Sequence, residues 1–288
     1  MPEEKFIDVE KIIGSKNPKL LKWLPGFVLR WIKRVLHEKE VNAFMNLHGH
    51  LRDYDFIHKV IGEFRVTVNI RGLENIPREG GFILASNHPL GGFDGLALMQ
   101  AVEPARKDIR FLVNDILLSF KTMDNLFVPI NKHGSQGGTD VIEEAYASEK
   151  AVLVFPAGLV SRKQQGVIRD LEWKKSFIAK AVQHKKNIIP TYIQGSNSKF
   201  FYNLALWRKR LGIKANIEMF WLMDEMYKQR GKTITIIFGQ PISYTVFDKR
   251  HSPKGWAQQV KKFVYAMGSG KATVFIPDYE KHPAESAS

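Results

Sequence analysis

His88 and Asp94 bracket the stretch in this chain best suited to chemistry, Ala85-Ser86-Asn87-His88-Pro89-Leu90-Gly91-Gly92-Phe93-Asp94-Gly95. The apolar run Gly81–Leu84 before it reads as a buried strand, and Gly95–Met99 after it as the start of a helix. A histidine on a strand-to-helix turn sits where α/β enzymes place catalytic groups. A carboxylate six residues on, in the first helical turn, can reach back to one ring nitrogen and fix the tautomer. The other nitrogen is then a base near neutral pH. The same residues also fit a loop histidine and an aspartate that only caps its helix. Ser86 beside His88 invites a nucleophile reading, but a nucleophilic serine normally sits on an elbow of its own. The chain has no Cys, which excludes a cysteine nucleophile.

A second segment, Val152-Leu153-Val154-Phe155-Pro156-Ala157-Gly158-Leu159-Val160-Ser161-Arg162-Lys163, shifts the balance. Together the two segments resemble the glycerolipid acyltransferase superfamily, the PlsC-like enzymes. The family's first motif, Asn-His followed by Asp, falls on Asn87, His88 and Asp94, and its third, Phe-Pro-Glu-Gly-Thr-Arg-Ser-Arg, on Phe155 to Arg162. Val128–Lys132 and Ile188-Ile189-Pro190 match two further motifs, so the likeness spans roughly residues 65 to 245 in order. It departs from the usual pattern in several places. Five residues separate His88 from Asp94 instead of four, Ala157 replaces the glutamate, Leu159 the threonine and Val160 the first arginine. Lys132 stands where arginine is usual, a point charge in place of a planar fork. The wider gap is similar to a divergent bacterial branch of lysophospholipid and aminolipid acyltransferases, once described as hemolysin-like.

The resemblance implies direct acyl transfer. His88 acts as general base on an acceptor hydroxyl, or amine, that attacks a thioester on acyl carrier protein or coenzyme A, and Asp94 orients the ring. The backbone N–H groups of Gly91 and Gly92 are the candidate oxyanion donors. Lys132 and Arg162 would hold the acceptor's phosphate or carboxylate, with Gly158 and Ser161 shaping that wall. No metal or other cofactor is expected. The acceptor stays open among glycerol phosphate, a lysophospholipid and a lyso-aminolipid, with N-acylation to an acylated amino-acid lipid as the alternative and lipid hydrolysis at the same site as another.

The charge points the same way. Of a net +14, the stretch from Lys11 to His37 carries seven basic residues and no acidic one, and Ser161–Lys214 carries thirteen against Asp170 and Glu172. Such fields suit anionic lipid or nucleic acid. The basic stretches lack the aromatic pattern or helix-turn-helix of a nucleic-acid module, so nucleic acid is not expected. No segment has the roughly 20 apolar residues that span a bilayer, and the acidic start Met-Pro-Glu-Glu is unlike a signal peptide. After Pro25-Gly26, the residues Phe27, Val28, Trp31, Ile32 and Val35 fall at helical spacing between Arg30, Lys33 and Arg34. That pattern fits a helix lying in an anionic membrane surface, and equally one packing on its own domain. The expected location is peripheral, on the cytoplasmic face of the inner membrane.

Periodicity predicts the elements that must position these residues. Helices are expected over 19–36, 38–60, 93–102, 139–148, 172–184, 199–210 and 253–267, and strands over 64–70, 81–88, 109–113, 127–130, 151–155, 187–193 and 233–238. Alternation of this kind gives an α/β fold, a mixed, mostly parallel sheet with helices on both faces, preceded by an amino-terminal helical module. The expected divisions are 1–62, a helical membrane-contacting module, 63–268, the acyltransferase domain, and 269–288, a loose tail. His48, His50 and His58 read as surface residues, and Gly134–Thr139, lacking Gly-Lys-Ser/Thr, as a connector. The strand ends at His88, Lys132 and Arg162 should then meet at one edge of the sheet.

Overall fold

The computed structural model describes residues 5–114, 121–130, 137–214 and 216–278. Lys132 and residues 134–136 of the glycine-rich connector lie outside them. Five helices lead the chain, α1 (Val9–Lys16), α2 (Pro18–Trp23), α3 (Gly26–Val35), α4 (Glu38–His48) and α5 (Asp53–Glu63). The two long amino-terminal helices expected from periodicity are therefore each divided. Pro25 cannot donate into a helix and separates α2 from α3. Gly49 ends α4, and the guanidinium of Arg52 donates to the Gly49 and Leu51 carbonyls across the break.

The sheet has seven strands: β1 (Thr67–Arg71), β2 (Phe82–Ser86), β3 (Ile109–Val113), β4 (Phe127–Pro129), β5 (Ala151–Val154), then β8 (Asn187–Gln194) and β9 (Thr233–Phe238), after a separate hairpin of β6 (Arg162–Gln164) and β7 (Val167–Arg169). Its order is β1-β9-β8-β2-β5-β3-β4, and every pair is parallel except β8 with β9. The expected mixed, mostly parallel sheet is what forms. Side chains alternate between two cores, as a pleat requires. Phe82, Leu84, Leu153, Ile189 and Ile236 face α5 and α6 (Gly92–Val102), whereas Ile83, Ala85, Val152 and Ile188 face α8 (Ser176–Gln183) and α11 (Pro253–Gly268). Helices thus cover both faces, and β2, buried throughout, reads in sequence as an unbroken apolar run. Among the described residues the other α-helices are α7 (Gly137–Ala147), α9 (Lys199–Arg210) and α10 (Leu222–Tyr227).

The amino-terminal helices are tied to the domain. His37 stacks on Tyr227 with ring centroids 3.7 Å apart and its Nε2 lies 3.2 Å from Asp224. After α11 the chain folds back, with Phe275 against Phe263 and Asp278 exchanging two hydrogen bonds with the Gln259 side chain. Among the described residues no helix is long and apolar enough to cross a membrane, and no three His, Cys, Asp or Glu side chains converge as metal ligands.

Candidate active site

The carboxyl end of β2 delivers His88 to the sheet edge. Asn87 fixes the exit, its amide donating to the Ile193 carbonyl and its oxygen accepting from the Ile193 N–H of β8. The chain then turns through Leu90 and Gly91, whose φ of +88° suits glycine, into α6. Asp94, in the first turn of that helix, is fully buried. Its Oδ2 lies 2.8 Å from His88 Nδ1 and also accepts the N–H groups of Leu90 at 2.8 Å and Gly91 at 3.0 Å. The two sequence readings of Asp94, ring partner and helix cap, therefore share one oxygen. A carboxylate only accepts, so Nδ1 carries the proton and Nε2 is left with a lone pair that can take one. Burial pushes the Asp94 carboxyl above the usual carboxylate range, while His88 and the two N–H donors pull it back.

The two motif segments meet here. The Phe155 ring stacks on His88 with centroids 4.2 Å apart and planes 13° apart, and the Ser161 N–H donates to the His88 carbonyl at 2.7 Å. Beneath both lies Asp170, which the sequence reading treats only as a charge. It is fully buried. Its Oδ1 accepts the His88 N–H at 3.2 Å and the Ser161 hydroxyl at 2.5 Å, and its Oδ2 accepts Trp173 Nε1–H at 2.8 Å. The backbone of Asp170 is itself held, its N–H by the Tyr265 hydroxyl and its carbonyl by the Lys261 ammonium. One signal could have found it: a carboxylate between Arg169 and Leu171, inside a strongly basic stretch that holds just one other acidic residue, Glu172.

Other expected site residues take different positions. The Gly91 N–H is committed to Asp94, which removes it as an oxyanion donor, whereas Gly92 is exposed at the start of α6 with open space where a Cβ would stand. Gly158 is exposed in a tight turn at φ +66°, closed by its N–H on the Phe155 carbonyl. Ser161 faces inward to Asp170. Arg162 is buried as well: its guanidinium donates to Glu218 at 2.9 Å and to the Val160 carbonyl, and lies 5.2 Å from the Phe201 ring centroid. Arg208 Nε reaches the other Glu218 oxygen at 2.8 Å, an ion pair too bent for a hydrogen bond. Burial lowers the pKa of Arg162 against the opposing pull of Glu218. The guanidinium expected to meet an acceptor anion is thus held inside the protein. The residues that depart from the motif have apolar surroundings to match. Ala157 packs in the core with Trp173 and Phe177, and Val160 packs with Phe201, Tyr202 and Leu222.

Comparison with known proteins bears on this geometry. A family model described as acyltransferase matches residues 11–272. Two proteins named lyso-glycine lipid O-acyltransferase are similar over 265 residues. One, from Bacteroides thetaiotaomicron, is 44% identical and covers 91% of this chain and 97% of its own length. The other, from Phocaeicola vulgatus, is 43% identical and covers 91% and 95%. The crystal structure of the 1-acyl-sn-glycerophosphate acyltransferase PlsC from Thermotoga maritima is a looser likeness, with TM-score 0.43 and 17% identity over 84% of this chain and 93% of that one. The chain belongs to the acyltransferase family, whose model covers nearly its whole length, and is an enzyme.

Proposed function

We propose that this acyltransferase esterifies the hydroxyl of a lyso-glycine lipid with a fatty acyl group taken from a thioester of acyl carrier protein or coenzyme A. The observation that carries the reading is the buried Asp94 paired with His88 at 2.8 Å, which leaves Nε2 as the base. The substrate class is supported by the two relatives so named. Glycine has no hydroxyl of its own, so the nucleophile is a hydroxyl on the acceptor's acyl part, and the glycine carboxylate remains an anionic head. His88 Nε2 takes the hydroxyl proton as the oxygen attacks the thioester carbonyl. The tetrahedral intermediate collapses, the C–S bond breaks, and the leaving thiolate takes the proton back from the imidazolium. A thiolate leaves readily, so no acyl-enzyme is needed. The Gly92 N–H is the donor for the developing oxyanion, an interaction worth about 3 kcal/mol. Lys132 serves the carboxylate, while Ser161 and Arg162 hold the wall from inside. The basic prefix keeps the enzyme on an anionic membrane surface, peripherally and on the cytoplasmic face.

The test incubates purified protein with acyl carrier protein and coenzyme A thioesters against lyso-glycine lipid and lysophosphatidic acid, with mass spectrometry of the products. The expected product is lyso-glycine lipid heavier by one acyl group, released again by mild base as an ester must be. A base-stable product would mean N-acylation, and free fatty acid alone would mean a hydrolase. Acylation confined to lysophosphatidic acid would overturn the proposed acceptor.

A further inference from the structure

We infer that the catalytic domain carries its own membrane anchor on α9, and that α9 and the amino-terminal helices form one surface for an anionic bilayer. The inference rests on the reading that the acceptor is a membrane lipid. Helix α9 has two apolar faces, where a helix on a globular surface needs one. Phe201, Tyr202 and Ala205 are buried. On the other side, Phe200, Leu204, Trp207 and Leu211 follow at intervals of four, three and four residues, with Trp207 63% and Leu211 67% exposed. The prefix presents a matching row, Trp23, Phe27 and Trp31, with Trp23 88% and Phe27 67% exposed.

The two rows are joined by a chain of rings. Trp31 of α3 meets Trp221 with centroids 5.8 Å apart, and Trp221 meets Phe200 of α9 at 5.6 Å. The Arg208–Glu218 ion pair further ties α9 to the 217–221 segment between the rows, so the rows move as a unit. Basic side chains border both. Lys19, Lys22, Arg30 and Arg34 are exposed beside the first, and Lys199, Lys209, Arg210 and Lys214 beside the second. No acidic residue occurs from Lys11 to His37 or from Lys199 to Ile217. Exposed tryptophans within a cationic border match the apolar edge and negative headgroups of an anionic membrane. The buried face of α9 packs on Val160 and Leu222, and Leu222 lies against Gly91 in the His88 turn. A bilayer held on the outer face is therefore one helix away from the catalytic turn.

The experiment compares wild type with Trp207→Ser/Leu211→Ser and with Lys209→Glu/Arg210→Glu, prefix intact, on phosphatidylglycerol–phosphatidylcholine vesicles. These residues are exposed, so the melting temperature should hold. Vesicle binding should fall roughly tenfold or more in each variant, and KM for vesicle-borne acceptor should rise equally with kcat unchanged. Because the chain has no cysteine, Leu211→Cys carries a single environment-sensitive dye, whose emission should shift to the blue on anionic vesicles in an otherwise intact protein. Unchanged vesicle binding of both variants overturns the inference, and so does an unshifted dye. So does loss of a dimer in the variants, which would assign the face to a second copy, or loss of affinity for acyl carrier protein alone, which would assign it to the carrier. If the dye shifts but lyso-glycine lipid is not acylated, the acceptor reading fails and the surface stands. If the lipid is acylated and the variants bind as wild type, only the surface fails.

Discussion

Replacing Asp94 by Asn separates the two roles that meet on its Oδ2. That oxygen accepts from His88 Nδ1 and from two backbone N–H groups. An Asn oxygen in the same place keeps the loop bonds and the shape but carries no charge to balance the imidazolium formed during proton transfer. If the amide flips, its NH2 meets Nδ1, the proton moves to Nε2, and the base is lost. Either way kcat should fall by about 10²–10⁴, or about 3–5 kcal/mol, with KM for the acceptor little changed. Stability should move the other way. Burial raises the Asp94 carboxyl above its ordinary 3.8, so its contribution to stability is complete below that pH and is lost as pH rises through the folded-state value. Asn cannot ionise and escapes that loss. The variant should therefore melt at or above the wild-type temperature at pH 7.5, with the advantage shrinking towards pH 4. Thiol release read continuously, together with thermal melts at both pH values, checks both halves. A kcat within tenfold of wild type would reduce Asp94 to a cap, and a lower melting temperature at pH 7.5 would refute the burial argument.

His88→Ala should abolish transfer, read as acyl product, while a cooperative melt survives, because the ring is stacked on Phe155 at the sheet edge and not set in either core. Asp170→Ala leaves the His88 N–H, the Ser161 hydroxyl and Trp173 Nε1–H without their acceptor. It should cost about 3–5 kcal/mol in denaturant unfolding and lower kcat, with Asp170→Asn recovering part of each. Glu218→Ala strands a buried Arg162 guanidinium and should also cost about 3–5 kcal/mol, measured the same way. Gly91→Ala places a Cβ at φ +88° and 3.1 Å from Leu222. It should destabilise by about 1–3 kcal/mol and slow transfer, since the Gly91 N–H bond to Asp94 depends on that conformation.

The fold was largely legible because its strands are short apolar runs and its helices are periodic. What escaped was set by tertiary contact. The hairpin of β6 and β7 lies in Arg-Lys-Gln-Gln-Gly-Val-Ile-Arg, which has no apolar alternation. Its signal is geometric, with Gln165 and Gly166 both at positive φ. The reversed direction of β9 beside β8 leaves no mark in either strand's composition. His88 and Asp94 could be paired from spacing alone, since a helix start six residues on brings them together. Asp170, eighty-two residues from His88, could not, because its role comes from the hairpin that returns it beneath the turn.

The basic stretch from Ser161 to Lys214 shows why summed charge misleads about where an anion binds. Counted along the chain it is one cationic field, but folding divides it. Arg162 and Arg208 converge on Glu218, Lys180 pairs with Glu143, and Lys186 is buried against the Ser148 carbonyl. Arg162, Arg208 and Lys186 serve the interior, and Lys180 is taken up by a half-exposed ion pair. Lys199, Lys209, Arg210 and Lys214 stay at the surface, beside the exposed row of α9. The same sequence feature therefore supplies both an internal brace for the site wall and the border of a surface. Substitutions distinguish them: removing a braced cation should be read in unfolding, removing a border cation in the salt dependence of membrane binding. Arg162 thus braces the wall from inside and does not present its guanidinium to an acceptor anion. Under the proposed function, the acceptor's carboxylate is left to cations that folding keeps at the mouth of the site.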